Sequence, residues 1–463
     1  MNEKKLHDYI RNNNYLIKDE TITEQVYFDQ IDLRDLLKLE FHNCIFEDSI
    51  RFQTIINNNL ELKFHNCSFS KTLEIVNCQL KSLQTSYLKK IERIFISGKY
   101  QKLHLDSNKK PIQCVIDINE CIILNAINCS NLHIDTGQFT LSLKNKISEK
   151  TEFRSTFNNS TFQLANFSGF LGQESDFRNF KILESAFFGS EFKKVNFSNA
   201  FFGNQTCFTN CKFYSNANFR DSTSIQLFFE SCFFESFSHF NQSKFENLQI
   251  NYTTFEKKTS FDRLEVNTLE LYQTSFNQGS FFDELNIKSI SNKKYIKSIT
   301  GDEALKLRRT LRQIKQELQK TENRIDYNRF RGYELQAYYQ ELNWKENFKD
   351  KAILWATKTS TGFEHSWTKA LRFVLTGALI FYSLFFISEK YMLSLNLDLS
   401  SLKDFASGYF RFLIITDFYN PLEQKRIFID NSNTTGWIIF ILGKIVLAFG
   451  IYEMTQAFRK FKA

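Results

Sequence analysis

A chain of 463 residues with only two prolines and fifteen glycines is not the composition of a disordered or linker-rich protein. Its net charge of +8 is unevenly spread, and the excess falls outside the repeats described below. The N-terminal residues Met1-Asn2-Glu3-Lys4-Lys5 lead into polar sequence rather than an apolar run, so no secretory signal is expected.

Residues 1–150 read as an irregular β-helix, with residues 1–22 as a polar cap. Phe41-His42-Asn43-Cys44-Ile45-Phe46 returns as Phe64-His65-Asn66-Cys67-Ser68-Phe69. Asn77-Cys78-Gln79-Leu80 and Asn128-Cys129-Ser130-Asn131-Leu132 echo the same unit. Alternating stretches at residues 61–64, 93–97 and 103–106 predict short strands between turns. A metal site built from His42, Cys44, His65 and Cys67 can be drawn. However, Cys44, Cys67, Cys78, Cys129, Cys211 and Cys232 all stand at the small-residue position of a repeat. Buried free thiols acting as small hydrophobes is the preferred reading, and reduced cysteines fit a cytosolic domain.

Residues 151–290 carry phenylalanine at every fifth position. Phe157, Phe162, Phe167, Phe177, Phe187, Phe192, Phe197 and Phe202 keep the register, and after small slips it continues through Phe245, Phe255 and on to Phe281. Neither a helix of period 3.6 nor a strand of period 2 places these rings on one side. A fixed odd period predicts a solenoid whose repeats stack on one another. Two positions before the rings stand Ser155, Ser160, Ala165, Ser175, Ser185, Ser190 and Ala200, so ring and small residue form the inward pair. Ala165-Asn166-Phe167, Ser175-Asp176-Phe177, Val195-Asn196-Phe197 and Ala217-Asn218-Phe219 resemble the unit of the pentapeptide-repeat family. That resemblance implies a β-solenoid of one kind, a right-handed quadrilateral β-helix with roughly four repeats per turn. Residues 153–283 would then make about six turns, a rod of ~30 Å with an interior of stacked rings.

Residues 300–365 switch to helical periodicity and form a helical linker or coupling segment. Leu305, Leu307, Leu311, Ile314 and Leu318 predict one helix, with Asp302 and Glu303 favourably placed at its N-terminus. A second is predicted over residues 325–344. The stretch 302–372 carries 15 Lys and Arg against 10 acids. Arg308, Arg309, Arg312 and Lys315 make a basic face that is read as solvated or apposed to anionic lipid rather than bound to nucleic acid.

Residues 368–463 form a two-helix membrane module. Residues 373–387 contain no charge, and with their apolar flanks they reach ~20 residues, enough for ~30 Å of hydrocarbon. Residues 437–452 are similar, with Trp437 and Tyr452 as interfacial anchors. Lys369 and Arg372 precede the first segment, and Arg459, Lys460 and Lys462 follow the second. By the positive-inside rule both termini are cytoplasmic. Between the segments, residues 402–415 predict a short amphipathic helix. Helix, short helix, turn and helix together resemble the pore module of two-helix cation channels, as found in bacterial membrane proteins that join it to pentapeptide repeats. The resemblance implies a re-entrant pore helix with Thr416, Asp417, Phe418, Tyr419 and Asn420 at the filter position. No glycine lies between Thr416 and Pro421, whereas potassium filters need glycines to turn successive carbonyls inward. Lys444, mid-way along the second apolar segment, and Arg411 on the short helix are the charges placed to line a pore. Lys444 also has Glu389, Asp404 and Asp417 as conceivable partners, or snorkels to the interface.

There is no nucleotide loop, nucleophile elbow or HExxH, so neither enzymatic activity nor a cofactor is expected. The reading is an oligomeric ion channel or pore-like protein of the cytoplasmic (inner) membrane, multi-pass, with a cytosolic repeat domain that senses or binds a protein partner. A tetramer is favoured because two helices per chain cannot enclose a pore. Membrane lipid is a partner and nucleic acid is not. The alternative is a non-conducting membrane-tethered scaffold. A soluble DNA-mimicking or topoisomerase-binding rod ranks last, since the repeats lack the dense acidic surface such mimicry needs.

Overall fold

The structure, a computed structural model, describes residues 1–12, 15–29, 33–107, 111–143, 154–168, 171–292, 295, 298–363, 366–393, 399–419 and 434–459. It divides into two compact units, Met1–Asn292 and Lys293–Ala463.

The first unit is a parallel β-solenoid of about twelve turns. Helix α1 (Glu3–Arg11) covers its first turn, with the Asn2 side chain accepting from the Lys5 N–H at 3.1 Å. Leu6 and Ile10 of α1 are buried, and His7 lies 4.9 Å from the Phe28 ring. The cap is shorter than the sequence suggested. Strand Leu16–Lys18 already pairs in parallel with Glu40–His42, so the solenoid begins inside residues 1–22. The regular and irregular halves are one continuous structure, because Ala126, Ile127 and Asn128 pair with Arg154, Ser155 and Thr156.

Each residue of the repeat has a physical task. The rings stack along the axis at the spacing of the strands. Phe157, Phe177, Phe197, Phe219, Phe240, Phe261 and Phe282 form one column, with centroids 4.7–5.0 Å apart. Phe167, Phe187, Phe208 and Phe229 form a second, and Phe192, Phe213, Phe234, Phe255 and Phe276 a third. Between columns the rings meet edge to face, as with Phe177 and Phe187 at 82°. A fourth column mixes Phe162, Ile182, Phe202, Ser224, Phe245, Val266 and Ile287, so the ring ladder fills three of the four inward columns. The ladder ends on Phe282, which is fully buried, rather than on Phe281.

The small residue is polar more often than not because it has a carbonyl to reach. Ser190 Oγ donates to the Phe167 carbonyl at 3.1 Å, Cys211 Sγ to Phe187 at 3.2 Å and Cys232 Sγ to Phe208 at 3.2 Å. The Asn or Asp before the ring accepts from the N–H two residues on, as Asp176 does from Arg178 and Asn218 from Arg220. The turn that follows is left-handed, at Asn159, Asn179, Asn199, Asp221, Gln242, Arg263 and Glu284. In the irregular half, Gly98 adopts φ +124° and passes against the Cys78 carbonyl, where any Cβ would collide. Helix α2 (Lys288–Ser291) follows the last turn and packs on strand Glu265–Tyr272, with Ile287 and Ile290 buried.

The second unit is helical: α3 (Asp302–Lys320), α4 (Arg324–Glu341), α5 (Phe348–Ser360), α6 (Trp367–Leu393), α7 (Leu399–Phe412) and α8 (Thr434–Arg459). Helices α3 and α4 form a hairpin over Leu311, Ile314, Leu318, Phe330 and Ala337. The basic face predicted on α3 is largely neutralised inside this hairpin. Arg308 pairs with Glu341 at 2.7 Å, and Arg312 and Lys315 converge on Glu334 at 2.9 and 2.5 Å. Burial raises the Glu334 carboxyl and the bonds from Lys315 and Arg312 lower it; the net result lies below its ordinary value. The acids that neutralise the face lie on the following helix, and a charge count over 302–372 includes them without pairing them to α3.

Candidate functional site

Helices α6 and α8 hold apolar stretches, Trp367–Glu389 and Thr434–Phe458, of 23 and 25 residues. At 1.5 Å per residue these span about 34 and 38 Å, more than the ~30 Å of a bilayer core. Only 33% of the most apolar window of each is buried, which is not how a soluble core helix behaves. The exposed residues are large and apolar. Leu371, Leu375, Leu379, Leu384 and Ile387 are exposed along α6, and Ile438, Ile441, Leu442 and Ile445 run down one side of α8. Both helices are therefore long and apolar enough to cross a membrane, with faces suited to lipid.

The opposite faces pack together with α7. Val374, Ala378, Tyr382, Phe385, Phe386, Phe412, Phe440 and Leu447 form the shared core. Small residues allow the close approach. A Cβ on Gly443 would stand 2.7 Å from both the Phe381 Cβ and the Phe412 ring, and one on Gly450 2.7 Å from Val374. The Tyr382 hydroxyl presses onto Gly408 without a hydrogen-bond partner among the described residues.

Lys444 follows Gly443 and points into this core. It is 3% exposed, and its Nζ donates to the Phe412 carbonyl at 2.9 Å and the Ile414 carbonyl at 2.6 Å. The rings of Phe412 and Phe440 lie 5.0 and 5.2 Å away. The Phe412 carbonyl is the last of α7, where helical carbonyls lack intrahelical donors and the helix dipole is negative, and the Ile414 carbonyl, in the turn that follows, also accepts the Asp417 N–H at 3.2 Å. The ammonium thus caps α7 instead of pairing with Glu389 or Asp404.

Arg411 and the segment after α7 are held separately. Arg411 pairs with Asp417 at 2.7 Å and lies over the Tyr419 ring at 5.2 Å. The other Asp417 oxygen accepts from the Tyr419 N–H at 3.0 Å, closing a turn. Thr416, Phe418 and Tyr419 are exposed and Asn420 lies outside the described residues. Trp437, expected as an interfacial anchor, packs on Phe440 at 5.7 Å, whereas Tyr452 is exposed.

Two contacts in this module had no sequence expectation. Glu453, buried near the end of α8, accepts from the Thr361 hydroxyl at 3.2 Å, and Trp367 stacks on Phe458 at 5.3 Å. A glutamate in an otherwise apolar helix was the available signal for the first. All ten rings singled out in the solenoid (Phe157, Phe162, Phe167, Phe177, Phe187, Phe192, Phe197, Phe202, Phe245 and Phe255) are buried. His42 and His65 rings approach to 5.2 Å, while the Cys44 and Cys67 thiols donate to the carbonyls of Ile17 and Phe41. No cluster of three metal-ligating side chains occurs among the described residues.

No protein-family model, curated protein or solved structure matches the chain.

Proposed function

We propose that this is a membrane-embedded repeat protein: a cytosolic solenoid of the pentapeptide-repeat type, carried on an oligomeric, pore-like two-helix module. The observation that carries the reading is the pair of long helices whose outward faces are apolar while their inward faces bury a lysine and two glutamates. Such a module suits lipid on its outside and polar groups within. Two helices per chain cannot surround a pore, so a homo-oligomer is required, and a tetramer is the arrangement proposed. Lys369, Arg372 and the basic C-terminal residues support a topology with both termini on the cytoplasmic side. The solenoid, whose inward positions are committed to packing, contributes its polar outer surface to a protein partner.

A non-conducting tether is favoured by one specific observation. The Phe412 and Ile414 carbonyls are engaged by Lys444, and Asp417 is engaged by Arg411, so neither awaits an ion in the single chain. Purified protein reconstituted into planar bilayers decides between the two. Discrete unitary currents that vanish when α7 is disrupted support the pore. Silent bilayers containing protein of confirmed oligomeric size support the tether, and a monomer that passes no current removes the pore reading.

A further inference from the structure

We infer that Lys444 occupies a monovalent-cation site, built by the end of α7 and filled in this protein by its own ammonium group. The site is defined by its oxygens. The Phe412 and Ile414 carbonyls converge on one point, 2.9 and 2.6 Å from Nζ, separations that also suit a partly dehydrated potassium-sized ion. The faces of Phe412 and Phe440 close the same point from the side, and aromatic faces attract a cation without hydrating it. The negative end of the α7 dipole adds to the field.

The second, independent observation is the lysine itself. It is 97% removed from solvent, near the middle of a helix long enough to span a bilayer, and its ammonium donates to the two carbonyls. A lysine at that depth is costly unless its destination compensates, so its presence reports a strongly cation-favouring pocket. Asp417, paired with Arg411, adds its negative charge to the field at the ammonium, while the two carbonyls and two rings are the groups in contact with it. With the ammonium tethered in place, the wild-type module offers no vacancy there to a free cation. This holds whether the module conducts or only anchors, because it is read by binding rather than by current.

Lys444→Met removes the tethered charge and keeps an apolar stem of similar length. The full chain in detergent is melted in potassium, rubidium or methylammonium chloride and in N-methylglucamine chloride at equal ionic strength. Lys444→Met is expected to melt below wild type in N-methylglucamine and to recover by about 3 °C or more in the three small cations. Wild type and Lys444→Arg are expected to melt identically in all four salts. If Lys444→Met does not fold, Lys444→Gln, which keeps a donor for one carbonyl, is measured in its place. A variant indifferent to the cation, or a wild-type protein that itself responds to potassium over N-methylglucamine, overturns the assignment.

Discussion

The two units of this chain both bury aromatic rings but differ in what they expose. The solenoid turns its rings inward and its charges outward, so that Phe197 sits between Phe177 and Phe219 at 4.7 and 5.0 Å while Arg178 and Asp176 pair on the surface. In the module of α6, α7 and α8, leucines and isoleucines face out, and Lys444, Glu389 and Glu453 are buried beside an aromatic core. On the proposed function the same physical rule produces both, because each surface matches the solvent it meets. Stability in the solenoid should therefore depend on filling space, and in the module on close helix approach and on satisfying a few polar groups.

The largest expected effect follows from removing a ring. Phe197→Ala should destabilise the solenoid by about 3–5 kcal/mol, read as an earlier loss of β-sheet circular dichroism in denaturant. A cost below ~1 kcal/mol would mean that neighbouring rings relax into the space and that the column is not close-packed. In the module the corresponding change is one that adds atoms. Gly443→Leu should clash with Phe381 and Phe412 and cost about 1–3 kcal/mol, seen as a lower melting midpoint in detergent. An unchanged midpoint would show that α6, α7 and α8 do not pack as closely as described.

The smallest effect belongs to the α3–α4 hairpin, which opens the second unit. The Glu334 carboxyl lies below its ordinary value of 4.5, so its contribution is present above that pH and is lost as pH falls through the lower folded value. Glu334→Gln should cost about 1–2 kcal/mol at neutral pH and progressively less as acid protonates the wild-type carboxyl. A pH-independent difference between the two proteins would show that the charge of Glu334 is not what holds Arg312 and Lys315.

The two units also differ in how much of them could be read in advance. The solenoid was legible because its period is local: a ring, a small residue and an Asn or Asp recur within five positions, and each task is completed on the next coil. Its slips were legible as changes of spacing, yet the switch from Phe281 to Phe282 was not, since either ring satisfies the pattern. The two long apolar helices were legible from apolar length, although their ends lay further out, at Trp367–Leu393 and Thr434–Arg459. The partner of Lys444 was not legible. Its two carbonyls lie thirty or more residues back in the chain, and backbone carbonyls carry no residue-type signal. Glu334 was hidden for a similar reason, as the acid that answers the basic face of α3 sits on a different helix. Helix α5 escaped because its apolar residues do not form a clean stripe; Ile353 and Trp355 are exposed while Thr357 and Ser360 are buried.

The account rests on helices α6 and α8 residing in a bilayer, and alkaline carbonate extraction of membranes from cells expressing the full chain tests this most directly. The chain is expected to stay in the membrane pellet after the carbonate wash and to be released by detergent. Release of the intact chain into the carbonate supernatant, with no detergent present, would contradict it.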